Sequence, residues 1–167
     1  MSAISAIDLV FGVALFAVLA AMAIADFRTM LIPDKLNIAL AGLGLAYQSV
    51  VIISPPVTAI FFSIVVFVLF WLVRIGYRQL RGAAGLGLGD VKMAGASALW
   101  ISPWNLPIFL LIACFSALLF VLLSACRGGG LDRQARIPFG PFVGLGLAVT
   151  WILERTDIPT LIPIGGH

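Results

Sequence analysis

Gly87-Leu88-Gly89-Asp90-Val91-Lys92 sets a carboxylate and an ammonium between two apolar runs, Val57 to about Val73 before it and Val91 to Ile101 after it. An ionised side chain deep in a bilayer costs at least about 2.5–3.5 kcal/mol, so an aspartate at the edge of an apolar span needs a reason to be there. A second one, Asp26, closes the first apolar run, Ile7 to Ala25. That run would be about 28 Å long as a helix, close to the hydrocarbon thickness of a bilayer. Of 167 residues, 62% are hydrophobic and 10% charged, and the mean hydropathy is +1.18. These values lie outside the soluble range and predict an all-α, polytopic membrane protein forming a single domain over residues 1–167.

Working outward, the breaks between apolar runs are marked by proline, glycine and charge. Asp26-Phe27-Arg28 leads to Ile32-Pro33-Asp34-Lys35, where Pro33 and Asp34 suit the first turn of a new helix. A second span is expected over Leu36 to Ile53, ended by Ser54-Pro55-Pro56. The third covers Val57 to about Val73, with Trp71, Arg74 and Tyr77 as an interface belt, and the glycine-rich stretch from Tyr77 to Gly89 reads as a loop. The fourth segment, Val91 to Ile101, gives only about 17 Å of helix and is too short unless its helix starts among the preceding glycines. The fifth runs from Leu106 to Ala125 and the sixth from Ile137 to about Leu153. Six spans are therefore expected. Although Ala21-Met22-Ala23 resembles a signal cleavage site, the missing basic n-region and long apolar core mark the first run as a retained span.

The charges set the orientation. Arg28, Lys35, Arg74, Arg78, Arg81, Lys92, Arg127, Arg133 and Arg136 all fall in the loops after spans one, three and five, and Arg155 alone falls on the other side. By the positive-inside rule those three loops are cytoplasmic and both termini face outward. Asp26, Asp90 and the Ile137 to Phe142 segment then meet at one cytoplasmic depth.

The residue inventory narrows the chemistry. Cys114 and Cys126 lie on one apolar run, about 18 Å apart as a helix, too far for a disulfide. His167 is the sole histidine, so neither a zinc site nor a histidine-activated nucleophile has enough members, and no metal or cofactor is expected. Carboxylates remain as acid and base. Two aspartates at one depth resist double ionisation, so one can hold a proton while the other acts as base. Glycines before Asp90 would let an extended substrate backbone approach. Alone, Asp26 is equally a solvated helix end, and Asp90 a helix N-cap. Asp34 reads as a helix N-terminal charge and Lys92 as a snorkelling side chain. Asp8, Glu154 and Asp157 read as solvated ends on the opposite side, and Gly42, Gly44, Gly95, Gly144 and Gly146 as sites of close helix packing.

Asp26 with Arg28, Ile32-Pro33-Asp34, the Gly87 to Lys92 stretch and Pro138-Phe139-Gly140-Pro141-Phe142 together resemble the type IV prepilin peptidase family, membrane aspartyl proteases of the GxGD group. Presenilin-like GxGD proteases fit less well, because their Pro-Ala-Leu motif is missing. The resemblance implies that Asp26 and Asp90 are the catalytic pair, with Gly87, Gly89, Pro138, Gly140 and Pro141 as candidate substrate-binding residues. It implies cleavage of the basic leader of prepilins or pseudopilins at the cytoplasmic face of the bacterial inner membrane. The long bifunctional members carry a further cytoplasmic region with CxxC pairs and methylate the new N-terminus. Only six residues precede Ile7, so the short Tad (Flp) form without methyltransfer is expected. The expected partners are a prepilin and the lipid bilayer, with no nucleic acid. The competing readings are a small transporter using the two aspartates as a relay, which should place ionisable groups at several depths, and a non-enzymatic assembly protein, which leaves both aspartates without a role.

Overall fold

The computed structural model describes residues 6–52, 56–81, 86–126 and 138–156. Among them the chain is all helical. Six α-helices follow in order: α1 (Ala6–Thr29), α2 (Asp34–Tyr47), α3 (Pro56–Arg81), α4 (Leu88–Ser97), α5 (Leu106–Cys126) and α6 (Gly140–Arg155). Among the described residues, three segments are long and apolar enough to cross a membrane: Ala6–Thr29, Pro56–Leu80 and Pro103–Cys126. Their outer faces expose Val10, Val13, Phe61, Leu72, Leu111 and Leu118, as expected of surfaces that meet lipid rather than water.

The shorter helices form the centre. α4 packs against α2, α3 and α6, while α1 packs against α2 and α6, and α5 against α6. At ten residues, α4 is about 15 Å long, and Val91, Met93 and every residue from Ala94 to Ile101 are buried. It starts at Leu88, among the preceding glycines as the short apolar segment required, and runs on into a turn over residues 98–100. Small residues allow its close approach: a Cβ on Gly95 would stand 3.0 Å from Phe67 Cβ, and one on Gly44 of α2 would stand 2.8 Å from Trp100 Nε1. Gly146 likewise meets α5 at the Phe109 carbonyl and Gly144 lies near Met93, whereas Gly42 faces open space and has no such packing role.

Two boundaries differ from the sequence reading. α3 continues through Tyr77-Arg78-Gln79-Leu80-Arg81, since these five residues include no glycine and tolerate helix, so the expected loop at Tyr77 becomes helix. The second helix changes to a π-helical turn over Gln48–Ile52, where buried Gln48 donates from Nε2 to the Leu99 carbonyl at 2.9 Å. Reaching a partner on another segment accounts for a local change of helical pitch. Ser54, Pro55 and Ile137 lie outside the described residues, as do the basic residues Arg127, Arg133 and Arg136.

The end of the molecule away from Asp90 also departs from expectation. Asp8 is buried: it accepts a hydrogen bond from the Tyr47 hydroxyl at 3.2 Å and stands 3.8 Å from Arg155. The Arg155 guanidinium lies over the Tyr47 ring, 4.9 Å from its centroid, and Tyr47 stacks on Trp100. Glu154 Oε1 accepts from the Ser102 amide at 2.8 Å and Asn105 Nδ2 at 2.6 Å. Asp8 and Glu154 are thus internal cross-links between helices and turns, not solvated ends. Asp157 lies outside the described residues.

Candidate active site

The buried residues of α1 are Asp8, Gly12, Leu15, Leu19, Met22 and Asp26. They recur at steps of four and three, the seam of a helix packed along its length. Asp26 is the last member of that seam, so the packing that buries Leu19 and Met22 also aims its carboxylate inward. α1 ends one turn later. Met30 has φ 51°, a left-handed C-terminal residue that reverses the chain, and the Met30 amide closes the last helical bond on the Asp26 carbonyl at 2.8 Å.

The reversal carries Ile32 between two helix beginnings. A Cβ on Gly89 would meet Ile32 Cβ at 3.1 Å, and one on Gly140 would meet Ile32 Cδ1 at 2.9 Å. Glycine at 140 has a second reason: the added carbon would stand 2.8 Å from Asp26 Oδ2. With no side chain there, the Gly140 N–H donates to that oxygen at 2.9 Å. Gly140 is the first residue of α6, so Asp26 faces the positive end of a helix.

Asp90 is held in a parallel way. It is the third residue of α4, after an N-cap at Gly87, and its Oδ2 accepts the Gly87 N–H at 3.2 Å. The expected N-cap role for Asp90 falls instead to Gly87. On α3, Arg74 donates to the Leu86 carbonyl, tying the approach to α4 in place, and lies within electrostatic range of Asp90. The sequence reading missed this role for Arg74, whose signal was only a basic residue near a span end.

Asp26 and Asp90 line one cavity of about 310 Å³, together with Met30, Leu31, Ile32, Asp34, Gly87, Leu88, Gly89 and Lys92. The two carboxylates lie within electrostatic range of each other. Lys92 closes the rim, not by snorkelling but through an ion pair with Asp34 at 2.6 Å. Among the candidate binding residues, Gly87 and Gly89 line the cavity and Gly140 touches Asp26, whereas Pro138 and Pro141 are not part of the cavity wall. Two carboxylates, each oriented by one backbone amide in a shared cavity, can divide the tasks of acid and base between them.

A family model described as the type IV leader peptidase family matches residues 13–122, a stretch that contains both aspartates. The chain belongs to this family. It is similar to proteins named prepilin leader peptidase/N-methyltransferase. That of Escherichia coli (strain K12) is 32% identical over 127 residues, 75% of this chain and 55% of that protein. That of Xanthomonas campestris pv. campestris is 34% identical over 128 residues, 76% of this chain and 44% of that protein. That of Dickeya chrysanthemi is 30% identical over 139 residues, 83% and 49% respectively. The chain spans about half the length of the curated relatives it matches. No solved structure matches. Within this type IV leader peptidase family member, the match covers Ile32-Pro33-Asp34 and the Gly87 to Lys92 stretch, and the Pro138 to Phe142 motif lies beyond it.

Proposed function

We propose that this chain is an aspartyl endopeptidase that removes the basic leader from prepilins or pseudopilins of the Flp type. The single observation that carries the reading is the convergence of Asp26 and Asp90 on one cavity, each carboxylate held by a backbone amide. Family membership and the relatives' name supply the substrate class.

In this reading the pair carries one proton, because two like charges sharing a cavity resist joint ionisation. The ionised carboxylate takes a proton from water as its oxygen attacks the scissile carbonyl, and the protonated partner donates to the carbonyl oxygen. The gem-diol intermediate then collapses as the first carboxyl passes its new proton to the leaving amide nitrogen, the partner carboxylate takes a proton back from a diol hydroxyl, and the C–N bond breaks, which returns the pair to a single proton. The titration belongs to the pair rather than to either residue. Gly87 and Gly89 line the approach to Asp90, Gly140 holds Asp26 through its amide, and Pro138, just before α6, and Pro141, in its first turn, complete the candidate substrate-binding set.

The reading places the site at the cytoplasmic face of the bacterial inner membrane, with all six helices inserted and both termini outside. The basic residues Arg28, Lys35, Arg74, Arg78 and Lys92 support that side. It extends to the peptidase half of the relatives' name and not to methyltransfer. The test is to incubate the purified chain in proteoliposomes with a panel of prepilins and follow leader release by mass spectrometry. Release with an unmodified new N-terminus is expected. No cleavage of any prepilin by folded protein would contradict the peptidase reading, and a methyl group added by this chain alone would contradict its limit.

A further inference from the structure

The Asp34–Lys92 ion pair has a second side. Both residues line the carboxylate cavity, and both line a larger one of about 450 Å³ between α2, α3 and α4. That volume lies in the range of ligand pockets. Its walls are mostly apolar, with Ile38, Ala41, Ile64, Phe67 and Ala96. Ile38 is 71% exposed and Ile64 55%, so the cavity opens sideways, where lipid would lie. Asp34 to Ala41 is seven residues of helix, about 10 Å, which makes the cavity a slot leading from the carboxylates into the bilayer.

Of the polar wall residues, Asp34 and Lys92 pair with each other and Ser63 donates to the Gly95 carbonyl, which leaves Asn37. Asn37 is 6% exposed, and among the described residues neither its Nδ2 nor its Oδ1 has a hydrogen-bond partner. A buried carboxamide with both ends unpaired costs free energy that only an added partner recovers. Acyl chains would cover the apolar wall but offer Asn37 nothing, and lipid esters supply acceptors alone. A peptide whose helix has unwound near the bond to be cut supplies both an N–H and a C=O.

We propose that this slot is the binding site for the apolar segment adjoining the scissile bond of the peptide substrate, with the Asn37 carboxamide holding one of its backbone peptide groups. The inference rests on the peptidase reading above. It gives Asn37 a positioning role, and it makes the Asp34–Lys92 pair the divide between the segment that is gripped and the bond that is cut.

The test uses the full chain in proteoliposomes with a cleavable prepilin. Asn37→Leu keeps the volume and removes an unpaired buried amide, so the protein should unfold at the same temperature or higher. KM should rise about tenfold with kcat within twofold of the parent, and Asn37→Gln should restore part of the loss. In parallel, a photo-crosslinking residue at Ile64 should capture the apolar segment of the prepilin. An unchanged KM in Asn37→Leu, or crosslinks from Ile64 to lipid only, overturns this inference while leaving the peptidase reading intact. A parent that cuts no prepilin overturns that reading, and this inference with it.

Discussion

α1 buries two aspartates on one seam, Asp8 near its start and Asp26 near its end, about 27 Å apart. Asp8 is met by a phenol and a guanidinium. Among the described residues Asp26 is met by a single amide, and it faces a second carboxylate across a cavity. One environment satisfies a buried charge and cross-links helices; the other leaves acid and base capacity open and adds a like charge. Burial alone does not mark a reacting group. The partner does.

Exchanging the two aspartates separates these roles. Asp26→Asn removes a proton carrier while preserving shape, so leader cleavage should fall by about 10²–10⁴-fold with folding unharmed. Assaying kcat beside a thermal melt in detergent checks both halves; a large fall in stability would make Asp26 resemble Asp8.

Moving Asp26 rather than neutralising it should have an intermediate effect. The Cβ of Gly140→Ala would enter within 2.8 Å of Asp26 Oδ2 and 2.9 Å of Ile32 Cδ1, displacing a carboxylate whose placement sets the rate. A loss of about 10–100-fold in kcat is expected. Full activity in this variant would show that the amide contact does not position Asp26.

At the other end, Asp8→Asn should cost about 1–3 kcal/mol of stability, because it leaves Arg155 without its buried counter-charge. Cleavage at a temperature where the variant remains folded should match the parent. Lost cleavage in folded protein would join the two ends functionally.

The smallest effect belongs to the exposed pair at the rim. Asp34→Asn removes the charge that pairs with Lys92 while both side chains stay partly in solvent, and less than about 1 kcal/mol of stability should be lost. A larger shift in the melt would indicate that the pair holds α2 to α4.

The sequence made the apolar runs, their breaks and the two cavity aspartates legible because those signals are local: hydropathy, proline, glycine and charge. The other features depend on partners distant in sequence. Tyr47 and Asp8 are 39 residues apart, and Gly140 and Asp26 are 114 apart, so neither contact leaves a spacing that a pattern could reveal. Asp8 and Glu154 therefore carry no local sign of burial, and nothing in the sequence around Asn37 singles it out. Helix α3 runs through Tyr77 to Arg81 where a loop is expected, because the glycines that signal the loop lie outside those five residues. At Gly89 the missing side chain, expected to admit a substrate backbone, also admits Ile32.

The central claim is that Asp26 and Asp90 work as one unit. Its most direct test is a double-mutant cycle on cleavage rate in proteoliposomes: Asp26→Asn, Asp90→Asn and both together, with prepilin binding and protein level held equal. Groups that act together lose their function together, so all three residual rates should coincide. A double mutant slower than either single by the product of their losses, or near-normal cleavage by either single mutant, would contradict the shared-proton dyad.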